Sequence, residues 1–66
     1  MRIDRVKFAA ALARADMTTV KLSKKAGISR GTISVVKGGK SCTEETARKI
    51  AAGLGVDVSE LLVEGG

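Results

Sequence analysis

The chain has 66 residues, one cysteine, no histidine, no proline and a net charge of +5, and a domain of this length buries only about 60% of the surface its unfolded chain exposes. One modest core is therefore the limit, and the composition excludes an internal disulfide, a Cys/His zinc centre and histidine-based acid–base chemistry. No apolar run reaches the roughly 18 residues of a membrane span, and "MRIDRVKFAA" holds no signal-peptide core, so a cytoplasmic protein is expected.

The charge is divided. Residues 1–40 hold ten Lys/Arg against Asp4 and Asp16 (+8), and residues 41–66 hold two against five carboxylates (−3). The N-terminal part is thus set up to meet a polyanion. The plainer alternative is lysines that only keep a small protein in solution.

Alanine and leucine are abundant, and β-branched residues nowhere alternate with polar ones over a strand's length, so the chain reads as all-α. The helix starts repeat one design: an apolar residue, a Ser, Thr or Asp N-cap, and a second apolar residue five positions after the first, as in a hydrophobic staple. In chain order the sets are Ile3-Asp4-Phe8, Met17-Thr18-Leu22, Ile28-Ser29-Ile33, Cys42-Thr43-Ala47 and Val56-Asp57-Leu61. They predict five helices over about 4–16, 18–26, 29–38, 43–53 and 57–63. Glu44 and Glu45 favour the fourth start through the macrodipole, although Ser41 with Glu44 offers a competing cap; Asp57 with Glu60 makes a capping-box pair.

Gly27, Gly38 and Gly39, and Gly53 with Gly55, stand where helices should stop in a left-handed residue. Phe8, Leu12, Ala15, Leu22, Ala26, Ile28, Ile33, Val36, Ile50, Ala51, Leu54, Val56, Leu61 and Leu62 form the expected core. Helices this short need docking of their apolar stripes to persist. Residues 1–66 read as a single domain, with Gly65 and Gly66 as a frayed tail.

The second helix ends at Ala26, Gly27 turns the chain, and the third starts behind Ser29. This is a helix-turn-helix, whose second helix is the one that enters a DNA major groove. From "MTTVKLSKKAGISRGTISVVKGGK" through "TARKIAAGLGVDVSELL" the chain resembles the Cro and phage-repressor helix-turn-helix proteins, the XRE family. The resemblance covers nearly the whole chain and implies a five-helix repressor-like domain that binds operator DNA, usually as a homodimer. It departs from many relatives in having Ser23 for a small residue such as alanine, Asp16 near a usual glycine, Cys42 near a usual proline, and Gly31 near a usual long polar side chain. Only the last touches function, because it removes one base-reading group.

With the third helix in the groove, the residues facing base edges are Ser29, Arg30, Gly31, Ser34 and Val35, while Ile33 and Val36 face the core. Arg30 can donate two bonds to guanine O6 and N7, a contact worth about 1–3 kcal/mol of discrimination; otherwise it is a solvated charge. Val35 can meet a thymine methyl, or be scattered apolar surface or partly buried against the fourth helix. Gly31 lets the backbone approach closely, or is neutral near a helix start. Ser29 and Thr32 support the helix as much as they touch DNA.

Phosphate contacts are assigned to Thr18 and Thr19, at a positive helix terminus, and to Lys24, Lys37 and Lys40. The resemblance supports Thr19, Lys24 and Lys40 most directly.

Taken together these features indicate a sequence-specific regulator of double-stranded operator DNA, a repressor of phage or mobile-element type, with no metal, cofactor, membrane or small-molecule substrate. An enzyme is not expected, since an activated nucleophile–base pair and a phosphate-cradling glycine loop are both missing. Cys42 reads as a small buried hydrophobe, with redox sensing a distant alternative. Phe8 as sole aromatic argues against single-strand stacking. The main rival is a protein-interaction module, such as an antitoxin or adaptor, using Leu61, Leu62 and Val63 as an apolar face.

Overall fold

The computed structural model describes residues 1–63. Among them four α-helices form, α1 (Arg5–Ala15), α2 (Thr19–Ala26), α3 (Arg30–Lys37) and α4 (Glu44–Leu54), followed by one 3-10 turn (Val58–Glu60). No strand is present among the described residues, only two isolated antiparallel bridges, Arg2 with Ser41 and Ile3 with Leu62.

Each helix starts on a side-chain cap. Asp4 Oδ1 accepts from the Val6 and Lys7 amides at 2.8 and 3.2 Å, and Thr18, Ser29 and Thr43 accept from Lys21, Thr32 and Thr46, each at 3.2 Å. Thr43, not Ser41, caps α4, because Ser41 is held in its bridge to Arg2. The staple residues on either side of the five caps all lie in the core or packed against it.

The helix ends share a second design. The amides of Met17, Ile28, Lys40 and Val56 donate to the carbonyls of Leu12, Ser23, Val35 and Ala51, at 3.0 to 3.3 Å. These long backward bonds close the last turn once the preceding residue turns left-handed, here Asp16, Gly27, Gly39 and Gly55. Met17, Ile28 and Val56 are also the apolar residues that staple the next start. One residue thus ends one helix and anchors the next, which is why three of the connections are only three residues long. The connection from α3 to α4, residues 38–43, is longer.

Four expectations need correction. The fifth helix, 57–63, is a 3-10 turn of three residues. The capping box holds that turn, with the Asp57 carboxylate on the Ser59 amide and Glu60 Oε2 accepting from the Asp57 amide, both at 3.0 Å. The groups beyond it that would continue a helix pair elsewhere. The Asp4 amide donates to Leu61 O at 2.7 Å, the Val63 amide to Arg2 O at 3.2 Å, and Lys7 Nζ to Leu62 O at 3.0 Å.

Gly53 is not a stop, since α4 runs through it to Leu54. It is buried, and its missing side chain makes room for Leu22 and Ala26 of α2. Gly38 stays right-handed and leaves the turn to Gly39. Leu62 is only half-buried and lies outside the core, its carbonyl bonded to Lys7 and its backbone bridged to Ile3, while Ile3, Ala11 and Ala47 join the core. The expected frayed tail, Gly65 and Gly66, lies outside the described residues.

Candidate nucleic-acid interface

The helix-turn-helix is held from within and clasped at its turn. Leu22 of α2 and Ile33 and Val36 of α3 are all fully buried, so one face of each helix is committed to the core. At the turn, Ser23 acts twice. Its carbonyl accepts from the amides of Gly27 and Ile28, and its hydroxyl donates to Ile28 O. The family resemblance marks Ser23 as a departure, but its role is visible only once Ile28 is placed opposite it.

Burial of Ile33 and Val36 turns the opposite face of α3 outward. Ser29, Arg30, Gly31, Ser34 and Val35 are all exposed. Val35 is 46% exposed, one of the large apolar side chains that the surface leaves open. The Ser29 hydroxyl is largely engaged, since it accepts from the Thr32 amide and pairs with Thr32 Oγ1 at 2.9 Å. Ser34 shows its hydroxyl without such a partner among the described residues, so of the two serines it has more capacity left for a new bond.

The expected phosphate contacts flank this face. Thr18, Lys24, Lys37 and Lys40 are exposed and Thr19 is half-buried. Thr18 is occupied as the α2 cap, whereas the backbone N–H groups of the first turn point out of the helix end, where an anion is favoured.

Charge pairing separates the two parts of the molecule. Arg48 pairs with Glu44 at 2.9 Å and Lys49 with Glu45 at 3.3 Å, both within α4. Among the described residues, Lys24, Arg30, Lys37 and Lys40 have no carboxylate partner. The first turns of α1, α2 and α3 carry no acid, while that of α4 carries two. The surface around α3 is therefore an uncompensated cationic strip, whereas the outer side of α4 is charge-balanced.

Residues 7–63 match the family of Cro/C1-type HTH DNA-binding domains, and the chain belongs to it. No curated protein matches the chain significantly. Among solved structures it is similar to native PhpD with cadmium atoms and to PhpD with cadmium complexed with hydroethylphosphonate. In both cases the TM-score is 0.83 and the identity 23%, over all of this chain and 14% of that one. At that identity the likeness shows the fold alone, and the chain spans only a small part of the PhpD length. Among the described residues no helix is long and apolar enough to cross a membrane.

Proposed function

We propose that the chain is a sequence-specific binder of double-stranded DNA that regulates transcription, a repressor of phage or mobile-element type acting in the cytoplasm without catalysis of its own. The observation that carries this reading is the α3 face: exposed, free of carboxylates, opened by Arg30 and flanked by Lys24, Lys37 and Lys40. Arg30, Ser34 and Val35 read base edges, with Gly31 letting the backbone come close and Ser29 fixing the start of the helix. Thr18, Thr19 and the three lysines position the domain on phosphates. A homodimer reads two half-sites about 34 Å apart.

Selection from a sequence-randomised duplex pool tests the proposal. A common palindromic motif is the expected result, and recovery of no motif would overturn it. Two substitutions then separate the roles. Arg30→Ala relaxes preference at one base pair, with a loss of about 1–3 kcal/mol on the preferred site, while Lys40→Ala weakens all duplexes alike and flattens the salt slope by about one unit. Equal behaviour of the two variants would contradict the division into readers and positioners.

One observation favours a second reading, a protein-interaction module. Met1, Arg2, Leu62 and Val63 line a shallow, mostly apolar cleft of about 310 Å³ on the surface. If no DNA motif emerges, this cleft is where an adaptor or antitoxin partner would bind.

A further inference from the structure

The connection from α3 to α4 brings a residue to the cationic strip that the helix-turn-helix pattern does not contain. Gly39, just past α3, has φ of 90°, a conformation open to glycine and strained for other residues. The position that a Cβ would occupy there lies 3.3 Å from Arg5 Cδ and 3.6 Å from its Cγ and Nε. The stem of Arg5, the first residue of α1, therefore lies across the bare Gly39 backbone. Further bonds tie the start of the chain to this loop: Arg2 bridges to Ser41, and the Cys42 amide donates to Met1 O at 2.7 Å. Arg5 is exposed, lies against the residue that precedes the exposed Lys40 in the chain, and has no carboxylate partner among the described residues.

Two ordinary explanations for this placement fail. Arg5 does not complete the end of α3, because the carbonyls of Ser34, Val35 and Val36 already accept from the amides of Gly38, Lys40 and Gly39. It does not favour the start of α1 either, where a cation opposes the helix dipole. What remains is an exposed guanidinium whose stem lies against Gly39, next in the chain to an exposed lysine, two cations without a carboxylate that a polyanion could engage together. Arg5 is continuous with the strip through Lys40, and its planar fork suits a phosphate better than an ammonium does.

We infer that Arg5 is a phosphate-binding residue of the DNA interface, carried by α1 and positioned by Gly39, which extends the footprint on the duplex backbone beyond the helix-turn-helix. This rests on the DNA-binding function proposed above. Its occupant is the backbone of the same duplex, so its contribution is independent of sequence.

The test is binding of the full chain to its selected duplex across a salt series, for wild type, Arg5→Ala, Arg5→Lys and Arg14→Ala. Arg14 is exposed in the last turn of α1 and controls for the loss of one charge away from the strip. Arg5→Ala should lower the slope of log K against log salt by about 0.9 and weaken binding roughly tenfold near 0.1 M salt, on matched and mismatched duplexes alike. Arg5→Lys should keep the slope, and Arg14→Ala should leave it unchanged.

An unchanged slope for Arg5→Ala, with or without a fall in melting temperature, would overturn the inference, as would an equal fall for Arg14→Ala. If wild type prefers a motif and Arg30→Ala erases that preference while Arg5→Ala behaves as wild type, only the inference fails. If wild type binds no duplex, the DNA-binding proposal fails with it.

Discussion

Gly53→Ala sets two effects of known size against each other at the contact that positions the helix-turn-helix. In an open helix the change gains up to about 1 kcal/mol, and less in a last turn such as this one. Here the added methyl would lie 2.9 Å from Leu22 Cδ1 and 3.2 Å from Ala26 Cβ, well inside the roughly 3.5–4.0 Å at which carbon atoms attract. Leu22 is fully buried and cannot swing into solvent, and Ala26 has no rotamer to change. The strain of one extra methyl in a filled site is about 1–3 kcal/mol, so the net expectation is a loss of about 1 kcal/mol. For a domain of this size that is a fall of about 4–8 °C in melting temperature, read by circular dichroism.

The clash with Leu22 can be isolated. In a Leu22→Ala background the new methyl enters space the leucine has left, so Gly53→Ala should cost less there than in wild type, with a coupling of at least about 0.5 kcal/mol. A melting temperature equal to or above wild type for the single variant, or strict additivity in the double, would refute the packing argument.

Ser23→Ala removes the hydroxyl that holds Ile28 O, and should cost about 0.5–1.5 kcal/mol. Faster hydrogen exchange at the Gly27 and Ile28 amides is the local readout, and unchanged exchange would deny the clasp. Asp16 ends α1 with φ of 52°, so Asp16→Gly relieves left-handed strain at the expense of a looser unfolded chain and should stabilise by about 0.5 kcal/mol in urea titration. Hydrogen bonds from Ser59, its backbone amide first, hold the Asp57 carboxyl below its ordinary 3.8. The contribution of this cap is therefore fully present above pH 3.8 and is lost as pH falls through the lower folded value. An NMR titration placing Asp57 at or above 3.8, or an Asp57→Asn variant with the same acid limb of stability as wild type, would contradict it.

The starts of the helices were legible because capping is local: Asp4, Thr18, Ser29, Thr43 and Asp57 each act within three residues of their own position. The outward face of α3 was legible for a related reason, since the spacing of Ile33 and Val36 alone decides which side is left over. What escaped depends on distant chain. Gly53 looks like a stop until α2 is laid across it. The segment 57–63 has the pattern of a helix, yet Arg2, Asp4 and Lys7 draw the backbone of 61–63 into other bonds. Arg5 reads as one more charge at a helix start, because nothing near it in sequence announces Gly39.

The distribution of charge is the reverse of what stability alone would favour around α3. Arg30 opens that helix behind a neutral cap, where a cation is unfavourable by about 0.3–1 kcal/mol, and α2 begins with two threonines and no acid. The favourable arrangement is present elsewhere, in α4 with two glutamates in its first turn and in the capping box of Asp57 and Glu60. A rule applied at one side of the molecule and inverted at the other points to a different constraint on the inverted side. A carboxylate in the first turn of α2 or α3 would stabilise the free protein; on the proposed function it would stand where a phosphate comes, and its absence leaves those helix ends open to an outside anion. Arg5 and Lys40 fit the same logic at the far end of α3: both are exposed without a carboxylate partner among the described residues, which costs little in water's dielectric, and both would gain from duplex DNA lying against them as proposed.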